Sequence, residues 1–318
     1  MTTRWRRTAL AGMLLLGLAL PTHAQGDTST VRFDEVGFEF DHSLGRSVNI
    51  ARVPGQRLST GPSLGGEAAP AHLTFSLYQR LAESRRPPRA FGAPGTVRVY
   101  AVSALEGYPK ASRELARLQA LLDERPDPAT LEEIDRRQVV DMPILPVDDA
   151  AAQIIAARVA YIDTPELTGI AYLTGFAQDL IPVTRDDLQY TFQGLSTDGR
   201  WYVAVNWRIR ARVLPRSFTN AQARRIGRNA RTWGRYIRDT VATLDDASVA
   251  SFRPNLDALD ALVRSIDFES VVPPSTPPSA TPSPSVAPSP DGVPASEGPT
   301  PSGIASPAPS VPASSAAP

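Results

Sequence analysis

The sequence YTFQGLSTDGRWYVAV, residues 190–205, has two runs of aromatic and apolar residues on either side of the polar segment Ser196–Gly199. Two such runs joined by a short polar segment that ends in glycine predict an antiparallel β-hairpin. Gly199 stands where the loop requires a positive φ, which glycine adopts without steric cost. The sheet of this protein is therefore expected to be antiparallel.

The hydrophobic pattern also predicts the register of the hairpin. Pairing Leu195 with Arg200 places Phe192 opposite Val203 and collects the apolar side chains on one face. Such an arrangement leaves a polar second face, which is solvated, covered by a helix, or used to bind a ligand such as a sugar. The candidate ligand-binding residues on that face are Gln189, Gln193, Tyr202 and Asn206.

The rest of the chain predicts further strands and several helices. Strand-like runs lie at 36–40, 47–53, 73–78, 96–102, 157–162, 169–176, 188–195 and 200–207. Helical patterns lie at 112–125, 127–137, 220–244 and 252–268. Short links between the last four strands imply antiparallel neighbours. The expected fold class is α+β, an antiparallel β-sheet meander with helices packed on one face.

The N-terminus has the pattern of a secretory signal peptide. Basic residues precede the apolar run Ala9–Leu20, and Ala24 closes a small-residue cleavage site, so residues 1–24 are predicted to be removed. The run is shorter than the roughly 20 residues that span a bilayer, so no transmembrane segment is expected after cleavage. The pair Arg6 and Arg7 leaves the general secretory and the twin-arginine routes both open.

Composition excludes several classes of protein. The chain has no cysteine, which excludes disulfides, thiolate metal sites and attachment as a lipoprotein. Without the three arginines of the signal peptide it carries 30 basic and 33 acidic residues. Because there is no basic excess, nucleic acid is not an expected partner.

The C-terminal segment, residues 271–318, holds 15 of the 31 prolines and is otherwise mostly Ser, Ala and Thr. Such a composition predicts a disordered tail with local polyproline II character. The tail is either a spacer in the cell envelope or a tolerated low-complexity segment. Residues 25–270, between signal peptide and tail, are expected to form a single α+β globular domain.

Candidate catalytic groups are few. His42 and His72 lack the spacing of a zinc site, and no nucleophile elbow, phosphate-binding loop or dinucleotide motif occurs, so no metal and no cofactor are expected. Carboxylate pairs are candidates for acid–base chemistry or a calcium site, although each also lies where a turn or a helix cap favours aspartate. These pairs are Asp148 with Asp149, Asp163 with Glu166, Asp186 with Asp187, and Asp245 with Asp246.

The predicted helix at 220–244 combines an apolar stripe with many arginines. A surface of this kind can bind anionic lipid, lipopolysaccharide or an acidic glycan, although an exposed helix in a protein that uses arginine almost exclusively has the same pattern. The candidate anion-binding residues are Arg224, Arg228, Arg231 and Arg235.

Phe192–Ser196, Asp198–Arg200 and Tyr202–Val203, together with Phe252–Pro254, resemble a family of uncharacterised bacterial exported proteins and lipoproteins. The resemblance extends over about residues 36–265. It implies export and a shared fold, but no activity and no catalytic residues. This chain departs from many such proteins because it lacks the cysteine that carries the lipid. At the level of architecture alone, the predicted order of elements is similar to PsbP-like domains.

The sequence therefore predicts an exported, non-catalytic protein that binds or scaffolds in the cell envelope, or is secreted. Its expected partner is an unknown envelope component or glycan. One alternative is a carboxylate-based hydrolase such as a glycosidase. A second alternative is a peripheral envelope protein that binds anionic lipid or glycan through the arginine-rich helix.

Overall fold

A computed structural model describes residues 28–56, 69–79, 95–134, 139–147 and 151–269. The predicted signal peptide, the predicted tail and the pair Asp148 and Asp149 lie outside these residues. The strands are β1 (Thr28–Phe33), β2 (Val36–Asp41), β3 (Ser47–Val53), β4 (His72–Tyr78), β5 (Gly95–Ala101), β6 (Ala152–Asp163), β7 (Leu167–Ala177), β8 (Leu188–Ser196), β9 (Trp201–Ala211), β10 (Phe252–Arg253) and β11 (Asp267–Phe268). The helices are α1 (Val102–Leu105), α2 (Pro109–Glu124), α3 (Pro128–Leu131), α4 (Asn220–Ile226), α5 (Ala230–Asp245) and α6 (Leu256–Arg264).

The main sheet is antiparallel and confirms the α+β fold class. Its strand order is β3-β4-β5-β9-β8-β7-β6, with β10 paired to the end of β9. β6 to β9 form the expected meander, in which neighbours along the chain are neighbours in the sheet. A smaller sheet of order β1-β2-β11 packs beside it, where Phe38 meets Phe75 edge to face at a ring distance of 5.2 Å.

The β8–β9 hairpin forms, but two residues away from the expected register. Leu195 lies opposite Tyr202 and Phe192 opposite Val205, so the expected pairing of Leu195 with Arg200 is wrong. Because side chains alternate with a period of two, a shift of two keeps every side chain on its expected face. The prediction of one apolar and one polar face is confirmed.

The turn explains this register. Asp198 accepts hydrogen bonds from the Ser196 hydroxyl at 2.6 Å and from the Arg200 N–H at 3.0 Å, which draws Arg200 into the loop. The Ser196 hydroxyl in turn accepts from the N–H of Trp201 at 2.9 Å, so that Trp201 becomes the first residue of β9. Gly199 has the expected positive φ, 70°.

Helices cover both faces of the main sheet, so the expectation of helices on one face is wrong. We call the face that carries Phe192 and Val205 the front face; α5 and α6 pack on it, with Trp233 fully buried. The opposite face, here the back face, carries Tyr202 and is covered by α1 and α2, with Leu118 at the centre of that contact. The polar pattern of the back face therefore does not indicate a solvated surface.

The two long helical predictions are divided in the structure. The predicted helix at 220–244 is interrupted after α4, and Asn229 caps a new helix by accepting from the N–H of Thr232 at 3.0 Å. The 252–268 prediction becomes the short strand β10 followed by α6, which Asn255 caps. Asparagine accepts helix N–H groups well, so each cap starts a new element where the apolar periodicity alone shows none.

Candidate functional site

Three of the four polar residues predicted as a ligand site lie together on the back face. Gln193 and Tyr202 are fully buried, and Asn206, half-buried, lies one row further along the sheet. Gln189 is also half-buried, but it pairs with Arg208 further along the strand and takes no part in their hydrogen bonds. The structure therefore brings three of the four predicted side chains together.

Gln193 and Asn206 bind the protein's own backbone, and Tyr202 binds Gln193. The Gln193 Oε1 atom accepts from the Tyr202 hydroxyl at 2.8 Å and from the N–H of Leu145 at 2.9 Å. The carbonyl oxygen of Leu145 accepts from the Asn206 side-chain amide at 3.0 Å. The Gln193 amide also donates to Thr191 Oγ1 at 2.7 Å. Burial raises the pKa of Tyr202 well above its usual value, so its hydroxyl stays protonated as a donor.

Other side chains hold the same segment, residues 139–147, which contains no helix or strand. Buried backbone groups outside regular structure require side-chain partners. The N–H of Ile144 donates to Glu114 Oε2 at 3.1 Å, and the Tyr172 hydroxyl donates to the carbonyl oxygen of Pro143 at 2.7 Å. A ligand that used these polar groups would have to displace the segment. Ligand binding on this face stays a prediction, and the structure favours other surfaces.

A cavity of about 570 Å³ beside the strands β6 and β7 contains a group of carboxylates. The cavity lies between α3, the C-terminus of α5 and α6. Its acidic lining residues are Asp127, Glu132, Asp245, Asp257 and Asp260. The sequence pointed to Asp245 only as a partner of Asp246, and it missed Glu132 and Asp260, because nothing in their spacing shows that the fold brings them together.

A β-bulge in β6 explains the position of two of these carboxylates. Pairing with β7 is interrupted between Ala157 and Ala160, and Arg158 in this bulge has φ 53°, a region that favours glycine. The freed N–H of Arg158 donates to Asp245 Oδ1 at 2.7 Å, and that of Val159 donates to Glu132 Oε1 at 3.1 Å. The two carboxylates therefore satisfy the backbone of the bulge.

The guanidinium of Arg158 adds a second link at the same place. Its Nη1 atom donates to the carbonyl oxygens of Leu244, Asp245 and Ala247 at 2.8–3.2 Å. These carbonyls belong to the end of α5 and the residues that follow it, where carbonyl groups lack intrahelical partners. The strained Arg158 thus attaches α5 to the edge of the sheet.

Burial and the hydrogen-bonded carboxylate of Asp245 raise the pKa of Glu132. Burial likewise raises the pKa of Asp260, which accepts from the Tyr190 hydroxyl at 2.8 Å. The Glu132 and Asp245 carboxylates accept from the adjacent N–H groups of Val159 and Arg158, so both are bound to the backbone of the same bulge. This pair has the geometry of a structural clamp.

The other carboxylate pairs expected from the sequence are occupied by separate structural contacts. Asp163 forms a bidentate ion pair with Arg125, which keeps the pKa of Asp163 low. Asp186 pairs with Arg210 at 2.5 Å, and Asp187 accepts from Thr184. In the described parts of the chain, no group of three or more histidine and carboxylate side chains is placed to hold a metal ion.

The arginines predicted as an anion site are all exposed, in or beside α4 and α5. Arg231, Arg235 and Arg238 follow one another along the exposed side of α5, opposite the buried Trp233. Arg210 of β9 forms an ion pair with Asp186, but none of the arginines on or between these two helices forms an ion pair with another described residue. Their full set is Arg224, Arg225, Arg228, Arg231, Arg235 and Arg238.

Exposed apolar side chains lie next to these arginines. Among the described residues, the large apolar side chains that are clearly exposed are Ile181, at 54%, and Val213, at 39%. Both belong to loops, 178–187 and 212–219. We call these two loops, α4 and the first turns of α5 the basic end.

Direct contacts join the parts of the basic end. The Tyr236 hydroxyl of α5 donates to the carbonyl oxygen of Val183 at 3.0 Å, and the Arg185 N–H donates to that of Pro215 at 3.0 Å. A side chain at Gly227 would collide with the Leu180 carbonyl oxygen, so the chain passes close by at this point. The loops that carry Ile181 and Val213 therefore adjoin each other, and the first of them adjoins α5 and the residue that follows α4.

No family model and no curated protein matches the chain. Within the described residues, no helix has both the length and the apolar character needed to cross a membrane.

We predict that Gln193→Leu destabilises the protein strongly, while Gln189→Leu on the same strand face changes little. The first substitution leaves the buried N–H of Leu145 and the hydroxyl of Tyr202 without an acceptor, at about 1–3 kcal/mol for each donor. Urea unfolding of both variants measures the difference. Equal losses would show that Gln193 does not hold the 139–147 segment.

We predict that Glu132→Gln makes stability less dependent on pH. Because the pKa of Glu132 is raised in the folded protein, the protonated side chain contributes to stability. This contribution is complete below the pKa of glutamate in the unfolded chain, about 4.3, and is lost as the pH rises through the pKa in the folded protein. Glutamine keeps an oxygen that accepts from the N–H of Val159 and stays neutral at every pH. The free energy of unfolding of the variant, relative to that of wild type, should therefore increase between pH 4 and pH 7. Unfolding at several pH values tests this, with exposed Glu133→Gln as the control; a parallel shift at every pH contradicts it.

Proposed function

We propose that this protein is an exported, non-catalytic component of the bacterial cell envelope, which attaches peripherally to an anionic lipid surface through its basic end. The observation that carries the proposal is the combination of unpaired arginines with exposed Ile181 and Val213 on one surface. Peripheral lipid binding requires both features: positive charge for the head groups and apolar side chains at the acyl boundary.

The energetics of this surface favour a lipid partner. A basic side chain near an anionic membrane contributes about 1 kcal/mol of attraction, so several arginines together give stable but salt-sensitive attachment. The carboxylates of this end that do not pair with arginine, such as Asp179 and Asp187, are fewer than the free arginines. The apolar side of α5 is buried through Trp233 and Ile237, so the sheet holds the arginine side outward.

The sequence supports the location. The predicted signal peptide at 1–24 and the resemblance of Phe192–Ser196 and its neighbours to exported proteins both favour export. Absence of cysteine means that attachment cannot use a lipidated N-terminal cysteine. In the proposed function, a non-covalent surface attaches the protein to the membrane, as the covalent lipid does in lipoproteins.

The hydrolase alternative has less support. Its best candidates, Glu132 and Asp245, accept hydrogen bonds from the backbone N–H groups of a bulge. The remaining acids of that cavity, such as Asp260, take part in separate contacts.

The test is co-sedimentation of the mature protein with phosphatidylglycerol and phosphatidylcholine vesicles at low salt. Wild type is expected to bind the anionic vesicles only. The triple reversal Arg228→Glu, Arg231→Glu and Arg235→Glu should lower the partition coefficient more than about 100-fold, since attraction of about 1 kcal/mol at each site becomes repulsion.

The matched control reverses three basic residues away from the basic end: Arg46, Lys110 and Arg113. It changes the net charge by the same amount and should keep vesicle binding within a few-fold of wild type. Equal losses of vesicle binding in both triple variants would show that binding depends on net charge alone and would contradict attachment through the basic end. Binding of an acidic polysaccharide without binding of vesicles would contradict the lipid proposal and favour a glycan partner.

A further inference from the structure

A second cavity, of about 690 Å³, lies at the edge of β9 where its pairing changes. β5 ends its pairing with β9 at Gly95, opposite Trp207, and β10 begins its pairing at Arg253, opposite Arg210. Between these points β9 has no partner strand on this edge among the described residues. The turn after β2 and the end of β4 complete the walls.

One part of the wall of this cavity is apolar. Leu44, Trp207, Ile209 and Pro254 line it, and the first three of these are almost fully buried in the protein. A cavity of several hundred Å³ with apolar walls and a few polar groups has the form of a small-molecule binding site. The apolar walls favour a ligand with a hydrocarbon part.

Three of the seven polar residues at this cavity are arginines; the others are Ser43, Gln79, Asp186 and Asn255. Arg208, Arg210 and Arg253 all line it and are exposed. Arg210 is neutralised by Asp186, but Arg208 and Arg253 form no ion pair with any described residue. Two free positive charges beside apolar walls are complementary to a molecule that has an anionic head and an acyl chain.

The position of the cavity relates it to the basic end. Asp186 belongs to the loop 178–187 that carries Ile181, and Arg210 lies two residues before Arg212 and the loop that carries Val213. A lipid at the membrane surface that the basic end contacts would therefore be close to the cavity.

We infer that this cavity binds one anionic lipid, with the acyl chain against Leu44, Trp207 and Ile209 and the phosphate of the head group on Arg208 and Arg253. The inference rests on the proposed attachment to anionic lipid and names a molecule that the protein would take from that surface. It extends the function from attachment to specific lipid binding.

The experiment is calorimetric titration of the mature protein with lauroyl-lysophosphatidylglycerol below its micelle concentration. Saturable binding of one molecule is expected, and lauroyl-lysophosphatidylcholine, which has the same chain but no net charge, should bind at least about tenfold more weakly. The free head group, glycerophosphoglycerol, should bind more weakly still because it lacks the chain.

Two kinds of variant test the position of the lipid. Arg208→Met with Arg253→Met should weaken binding about tenfold or more, because charge-assisted hydrogen bonds to the phosphate are lost. Ser43→Trp, at an exposed lining residue, should block the chain. Lys110→Met with Arg113→Met, at two exposed basic residues of α2 that do not line the cavity, should leave the affinity within about twofold of wild type.

The outcomes separate this inference from the proposed function. The triple reversal at Arg228, Arg231 and Arg235 should abolish vesicle binding and retain binding of the lysolipid. If wild type binds vesicles but no lysolipid, or if the Arg208 and Arg253 double variant keeps full affinity, the cavity is not a lipid site although attachment stands. If lysolipid binds in the cavity and vesicles do not bind, attachment through the basic end fails and the cavity site stands.

Discussion

The double hydrogen bond between the Gln193 side chain and the backbone of Leu145 is the constraint on which this architecture depends. It holds an irregular segment against a polar sheet face and satisfies groups on both sides that burial would otherwise leave without partners. Tyr202 and Asn206 complete the same arrangement. The sheet can therefore be buried on both faces although only one face is apolar, and α2 can cover the second.

Both faces of the main sheet are covered by other parts of the protein, and this limits where a ligand can bind. The front face is covered by α5 and α6, and the back face by α2 and the 139–147 segment. The bulge at Arg158 brings Glu132 and Asp245 together in a structural clamp. Exposed arginines without an ion pair to a described residue lie at the basic end and beside the open edge of β9. Both surfaces suit an anionic lipid, one through arginines and exposed apolar side chains, the other through an apolar cavity.

Local patterns predicted the elements but not their long-range contacts. The strands, the α+β class and the positive φ of Gly199 follow from alternation and turn chemistry, and the exposed arginines follow from the periodicity of the helix. The register failed because one side chain, Asp198, binds Arg200 into the turn. The sequence did not show that the 139–147 segment covers the back face, because Gln193 and Leu145 are 48 residues apart. A glutamine that faces solvent produces the same alternation of polar and apolar residues along a strand. The Glu132–Asp245 clamp depends in the same way on a bulge that has no sequence signal.

Hydrogen–deuterium exchange of the mature protein, alone and with phosphatidylglycerol vesicles, tests the central claim most directly. In the free protein, peptides that contain residues 140–145 should exchange slowly, because side chains of the sheet bind their backbone groups. Vesicles should add protection at 178–187 and 212–231 and leave 140–145 unchanged. Fast exchange at 140–145 in the free protein, or new protection there with vesicles, would contradict the account. Either result would favour a binding site on the back face, at Gln193, Tyr202 and Asn206.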